Sequence, residues 1–138
     1  MSIEISNLGR GIRAMRPIIP AKAFDVSTRF YTELGFRSRP LAERLIEMEI
    51  GAYSFILQDY YVKEWADNFA MHVLVTDLAA WWEHVTALDL PARYPGVRTG
   101  APTEESWGLV AGLVDPSGVL WRFTQASTPA ISEAHHDP

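Results

Sequence analysis

One order of apolar and polar positions occurs twice along the chain. In "DVSTRFYTELGF" the apolar residues Phe30, Tyr31 and Leu34 recur on one helical face. Asp25 or Ser27 offers a cap, and Gly35 stops the helix. The preceding "RAMRPIIPAKA" predicts a short strand bracketed by Pro17 and Pro20. Two prolines in so short a strand suit a sheet edge, or a segment crossing between subunits. "RLIEMEIG" and "AYSFILQD" predict two further strands joined at Gly51. The second half repeats the plan with "FAMHVLVTD" as a strand and "DLAAWWEHVTALDL" as an amphipathic helix capped by Asp77. A Pro- and Gly-rich loop, "PARYPGVRTGAPTEES", then leads into a hairpin of "WGLVAGLVD" and "GVLWRF" around Asp115-Pro116-Ser117-Gly118. Arg122 stands in the middle of this otherwise apolar last strand.

Sliding the chain against itself by 54 residues lays Leu88-Asp89-Leu90 on Leu34-Gly35-Phe36, and Asp77 on Ala23. Each half therefore reads strand, helix, then two or three strands. This is a duplicated β-α-β-β-β unit and not a Rossmann chain. The fold class is α+β, with two tandem modules over about residues 13–60 and 69–125 of a single domain spanning 1–125. Two such sheets, each with one apolar face, are expected to curl around a cavity. The first dozen residues, with glycines at 9 and 11, read as an arm or a short leading segment, and residues 126–138 as a disordered polar tail.

Composition narrows the function. The 138 residues suffice for one well-buried core. A net charge of −5 disfavours nucleic acid as the partner and mildly favours a cationic ligand. No apolar run is long enough to span a bilayer, and no signal-peptide pattern opens the chain, so no membrane partner and a cytoplasmic location are expected. The absence of cysteine removes disulfides, thiolate metal sites and a cysteine nucleophile.

"FYTELGF" after a first strand, with "DPSGVLWRF" closing the chain, resembles the vicinal-oxygen-chelate superfamily: glyoxalases, extradiol dioxygenases, and fosfomycin- and bleomycin-resistance proteins. The resemblance covers about residues 13–125. Its metalloenzymes hold a divalent ion with His and Glu on the first and last strands of each module. The corresponding positions here are Arg16, Ala70, Arg122 and the stretch Phe55–Leu57, none a metal ligand. His72 is the one histidine near them, two residues past Ala70 and so on the same strand face. A guanidinium at Arg122 repels a cation. No metal or other cofactor is therefore expected. Arg16 and Arg122, if they share one cavity, form an anion site; otherwise they pair with an acid such as Asp59 or Glu49, or reach solvent. His84, His135 and His136 read as solvent-exposed.

Within the superfamily, "RPIIPAKA", "RFYTELGF", "DN" at 67–68 and "EESWGLVAGLVDPSGVLWRF" resemble the bleomycin-resistance proteins. That resemblance implies an arm- or domain-swapped homodimer, a small-molecule ligand such as a bleomycin-like antibiotic in an interface groove, and no catalytic residue. It assigns ring stacking on the ligand to Trp107. Tyr60, Tyr61 and Trp65, in the linker between modules, are further candidate groove aromatics, or pack beneath it. Adjacent Trp81 and Trp82 should divide between core and surface. "RSRPLAERLIEMEI" lacks the family's second stacking aromatic, with Leu45 near that place. The candidate ligand-binding residues are thus Trp107, Arg16, Arg122, His72, Tyr60 and Trp65. The alternative is a glyoxalase-like lyase or isomerase with a metal-free site, using His72 as base on a small anionic substrate between Arg16 and Arg122. A third reading has the linker aromatics bind another protein.

Overall fold

A computed structural model describes residues 5–127. After a short helix α1 (Ile5–Arg10), the first module runs β1 (Ile18–Pro20), α2 (Phe24–Leu34), β2 (Arg37–Ala42), β3 (Leu45–Ile50) and β4 (Tyr53–Gln58). A connecting helix α3 (Lys63–Asp67) leads to the second: β5 (Ala70–Leu74), α4 (Leu78–Leu88), α5 (Leu90–Arg93), β6 (Arg98–Glu105), β7 (Gly108–Val114) and β8 (Leu120–Ala126). Each module makes one four-stranded sheet, ordered β1-β4-β3-β2 and β5-β8-β7-β6, with its first strand parallel to its last. The two sheets are the duplicated β-α-β-β-β units expected, and they are not closed on themselves. The equivalent helices α2 and α4 are both eleven residues long. Asp77 caps α4 by accepting from the Ala80 amide at 3.0 Å. At the other helix end Gly35 and Asp89 occupy equivalent positions, both with positive φ.

Both helices lie against the core. Phe55 from β4 and Trp121 from β8 meet with ring centroids 5.4 Å apart, so the helix-bearing faces of the two sheets share one core. Tyr31 on α2 joins it, edge-on to Phe30, Phe36 and Phe55. The helix-free faces consequently turn away from that core. Strand alternation sends Trp121 and Phe123 inward and leaves Arg122 on the helix-free face, where it is exposed.

Four local expectations need correction. The N-cap of α2 is Ala23, not Asp25 or Ser27, because Ser27 is buried inside the helix with its hydroxyl 3.4 Å from that of Ser117. The loop after α4 contains α5 and the edge strand β6. The strand β2, also at a sheet edge, falls in a stretch for which the sequence pattern predicts no strand. Nearly all their side chains are exposed, so neither shows hydrophobic alternation, and each has a register shift beside a proline, Pro40 or Pro102. Trp81 and Trp82 do not divide between core and surface: both are half-buried against the core, Trp81 stacking on Phe123 at 5.0 Å. β1 is an edge strand of its sheet, in keeping with Pro17 just before it and Pro20 at its end. Ala126 belongs to β8, and residues 128–138 of the expected tail, with His135 and His136, lie outside the described residues. No helix among the described residues is long and apolar enough to cross a membrane.

Candidate functional site

Strand register defines the helix-free faces row by row, because residues opposite one another point the same way. In the second sheet His72 lies opposite Arg122, Arg122 opposite Gly112, and Gly112 opposite Gly100. The equivalent row of the first sheet is Ile18, Ile56, Glu47 and Arg39. The first-strand position beside Arg122 is therefore His72 rather than Ala70, which pairs with Leu120. Its counterpart in the first module is Ile18 rather than Arg16, the offset of two residues having been invisible without strand pairing.

The four central positions thus hold one imidazole, one guanidinium and two isoleucines. A divalent ion does not fit this set, which offers one donor where three are needed. Among the described residues no three His, Asp or Glu side chains gather as a metal site.

The rows differ in charge. Glu47 is 1% exposed, covered by Arg16, whose Nε lies 2.8 Å from Oε2, and by Arg39, which bonds Oε1. Arg39 also reaches Glu49 at 3.8 Å, and Arg16 donates to the Ser54 hydroxyl at 3.0 Å. Hydrogen bonding from Ser54, then the two guanidiniums, outweighs burial and holds the Glu47 carboxyl below its ordinary value. Arg16 is therefore paired within its own sheet, with Glu47 and not with Asp59 or Glu49. Asp59 faces Arg44 instead, at 4.0 Å. The guanidinium of Arg122 forms no ion pair with the described residues, and His72 beside it is exposed. The structure brings His72 and Arg122 together and separates both from Arg16, which sits on the other sheet.

Trp107 stands at the β6–β7 turn, 51% exposed, with its carbonyl accepting from the Ser127 amide at 3.1 Å. The glycine after it is obligatory. Gly108 has φ 149°, and a Cβ there would lie 2.1 Å from the Gln125 carbonyl oxygen. Four residues of strand, about 13 Å, separate Gly108 from Gly112 in the Arg122 row. Tyr60 and Trp65 form a pair of their own, ring centroids 6.4 Å apart, beside β1. Tyr60 is exposed and Trp65 half-buried. Tyr61 packs on the core and carries the Lys22 ammonium 5.6 Å above its ring. His84 is exposed but tethered, its Nε2 2.7 Å from the Leu34 carbonyl oxygen. It borders an open pocket of about 300 Å3 on the helix side, lined by Leu34, Gly35, Ile50, Ala80 and Trp81, which contains none of the six candidate ligand residues.

The modules are joined by a buried polar network. Tyr31 donates its hydroxyl proton to Asp115 Oδ2 at 2.5 Å and accepts from Trp121 Nε1 at 2.9 Å. Asp115 Oδ1 accepts the Ser117 and Val119 amides, and Ser117 Oγ accepts the Lys22 amide at 2.9 Å. Burial raises the pKa of both Tyr31 and Asp115, in Tyr31 reinforced by the neighbouring carboxylate.

Solved structures share this architecture. The bleomycin resistance determinant encoded on the transposon Tn5 superposes with a TM-score of 0.72 at 24% identity, over 85% of this chain and 100% of that one. A bleomycin-binding protein complexed with bleomycin gives 0.71 at 25% identity, over 84% and 100%. The chain has the vicinal-oxygen-chelate fold. Lactoylglutathione lyase from Agrobacterium tumefaciens has the fold too, at a lower TM-score of 0.61 and 13% identity, over 83% and 95% of the two chains. This example of the fold is thus more like the bleomycin proteins than the lyase on each measure. No family model and no curated protein matches the sequence.

Proposed function

We propose that the protein binds and sequesters a small molecule, in the manner of the bleomycin-binding proteins, without metal and without chemistry. The observation that carries this reading is the likeness to a bleomycin-binding protein complexed with bleomycin, over 84% of this chain and at 25% identity. The helix-free faces support it, since each is turned from the core and leaves apolar side chains such as Ile18 and Leu74 exposed. In this reading two copies pair so that the face of one covers the other, and the ligand lies between them. Trp107 stacks on its rings, while Tyr60 and Trp65 flank it. Titration of the purified protein with metal-free bleomycin tests this through tryptophan fluorescence. Saturable quenching that weakens in Trp107→Ala is expected, and unchanged emission at high micromolar drug counts against it.

A second reading, a glyoxalase-like lyase or isomerase, draws on the pairing of His72 with Arg122: an imidazole base beside a guanidinium suits proton transfer in a small anionic substrate. It predicts turnover that survives chelator and vanishes in His72→Ala.

A further inference from the structure

The two equivalent rows differ in a way the duplicated fold does not require. In the first sheet the row Ile18, Ile56, Glu47, Arg39 closes on itself, its acid covered by Arg39 and by Arg16. In the second sheet the row His72, Arg122, Gly112, Gly100 holds an exposed guanidinium without an acidic partner among the described residues. Neither glycine has a positive φ, so the backbone does not demand them. A Cβ on Gly112 would meet nothing within 4 Å. Two bare backbone positions on adjacent strands, about 4.8 Å apart, leave a flat floor beside the guanidinium. The next row on one side adds Arg98 and the apolar Val114 and Leu120; on the other it adds Thr103, Val110, Thr124 and Leu74. The one acid of this face, Glu105, is two rows from Arg122 and accepts from Thr103. The face is therefore locally cationic in a chain of net charge −5.

We propose that the row His72–Arg122–Gly112–Gly100 recognises a flat, carboxylate-bearing molecule, its carboxylate held by Arg122 with His72 as second donor and its ring lying over the glycine floor. This rests on the reading of that face as a ligand site and fixes the charge of what it takes. Arg122 presents the planar fork that matches a carboxylate, and the neighbouring strand places His72 within a side chain's reach of the same anion. With no side chain beneath it, the ring can lie directly on the backbone, closer than a Cβ projecting from the sheet would allow.

Calorimetric titration with 2-naphthoate, with its neutral planar counterpart 2-naphthamide and with metal-free bleomycin in parallel tests the proposal. Naphthoate is expected to bind roughly ten- to a hundredfold more tightly than naphthamide, the range of a charge-assisted hydrogen-bonded pair. Arg122→Gln, on an exposed position and checked for folding by circular dichroism, removes that preference. Gly112→Ala weakens both naphthalenes. Equal affinity for the two, or a preference that survives Arg122→Gln, overturns the proposal. Bleomycin binding without naphthoate binding also overturns it while leaving the sequestration reading intact. A naphthoate preference without bleomycin binding upholds it and retires the drug. Failure of all three ligands overturns both.

Discussion

The Tyr31 hydroxyl donates to Asp115 Oδ2 across the two modules, 2.5 Å apart in a fully enclosed site. These residues belong to "FYTELGF" and "DPSGVLWRF", the two stretches that carried the family resemblance, and the fold makes them partners. Asp115 shapes the hairpin turn through the Ser117 and Val119 amides and reaches α2 with its other oxygen. Tyr31→Phe leaves that oxygen and Trp121 Nε1 without their shared partner. It is expected to cost about 1–3 kcal/mol, read from urea unfolding at neutral pH.

The same tyrosine contributes to loss of stability in alkali. Its folded pKa lies well above the ordinary 10.0 because of burial, and then because of the Asp115 charge. Above about pH 10 the unfolded chain gives up the phenolic proton while the folded chain keeps it, so stability falls as pH rises. Urea midpoints above that pH should fall less steeply in Tyr31→Phe than in the parent protein. Parallel slopes would contradict the assignment.

Glu47 acts at the opposite end of the scale. Its folded pKa is lowered, so its contribution is present above the unfolded value and is lost as pH falls through the folded one. Glu47→Gln should be less stable than the parent at neutral pH, with the difference shrinking in acid. Midpoints measured from neutral pH down to about pH 3 check this.

Two glycines of β7 should respond oppositely. Gly108→Ala forces a Cβ against the Gln125 carbonyl at a positive φ and should cost well over about 1 kcal/mol. Gly112→Ala enters open space at an ordinary φ and should be neutral or stabilising by about 0.5–1 kcal/mol. Denaturant midpoints of the two variants separate a structural glycine from one that keeps a surface bare.

Asp89 takes φ 51° where the equivalent helix end has Gly35, and its side chain makes no capping hydrogen bond to α5. Asp89→Gly should raise stability by roughly 0.5–1 kcal/mol, measurable as an increase in Tm.

The helices α2 and α4 were legible because each writes its packing face into adjacent residues, with the stop Gly35 in α2 and the cap Asp77 in α4. Their repetition showed the duplication. β2 and β6 were not legible because edge strands with exposed side chains carry no alternation, and Pro40 and Pro102 read locally as loop. Arg122 stood out as a charge in an apolar strand. Its direct pairing with His72 was not legible, since β5 lies far from β8 in sequence, and Gly112, across the predicted hairpin, faces it only once the register is known. Glu47 was within reach of sequence reasoning: the alternation in "RLIEMEIG" puts Glu47 and Glu49 on one face, opposite Ile46, Met48 and Ile50. What the alternation lacked was β2, and with it Arg39, the second guanidinium on Glu47.

Sequestration means that the protein holds a small molecule and returns it unaltered. The decisive experiment is equilibrium dialysis of metal-free bleomycin against the protein, followed by denaturation and mass analysis of the released drug. Saturable retention at a fixed stoichiometry and recovery of intact bleomycin are expected. Drug that is not retained, or that comes back chemically changed, would contradict it.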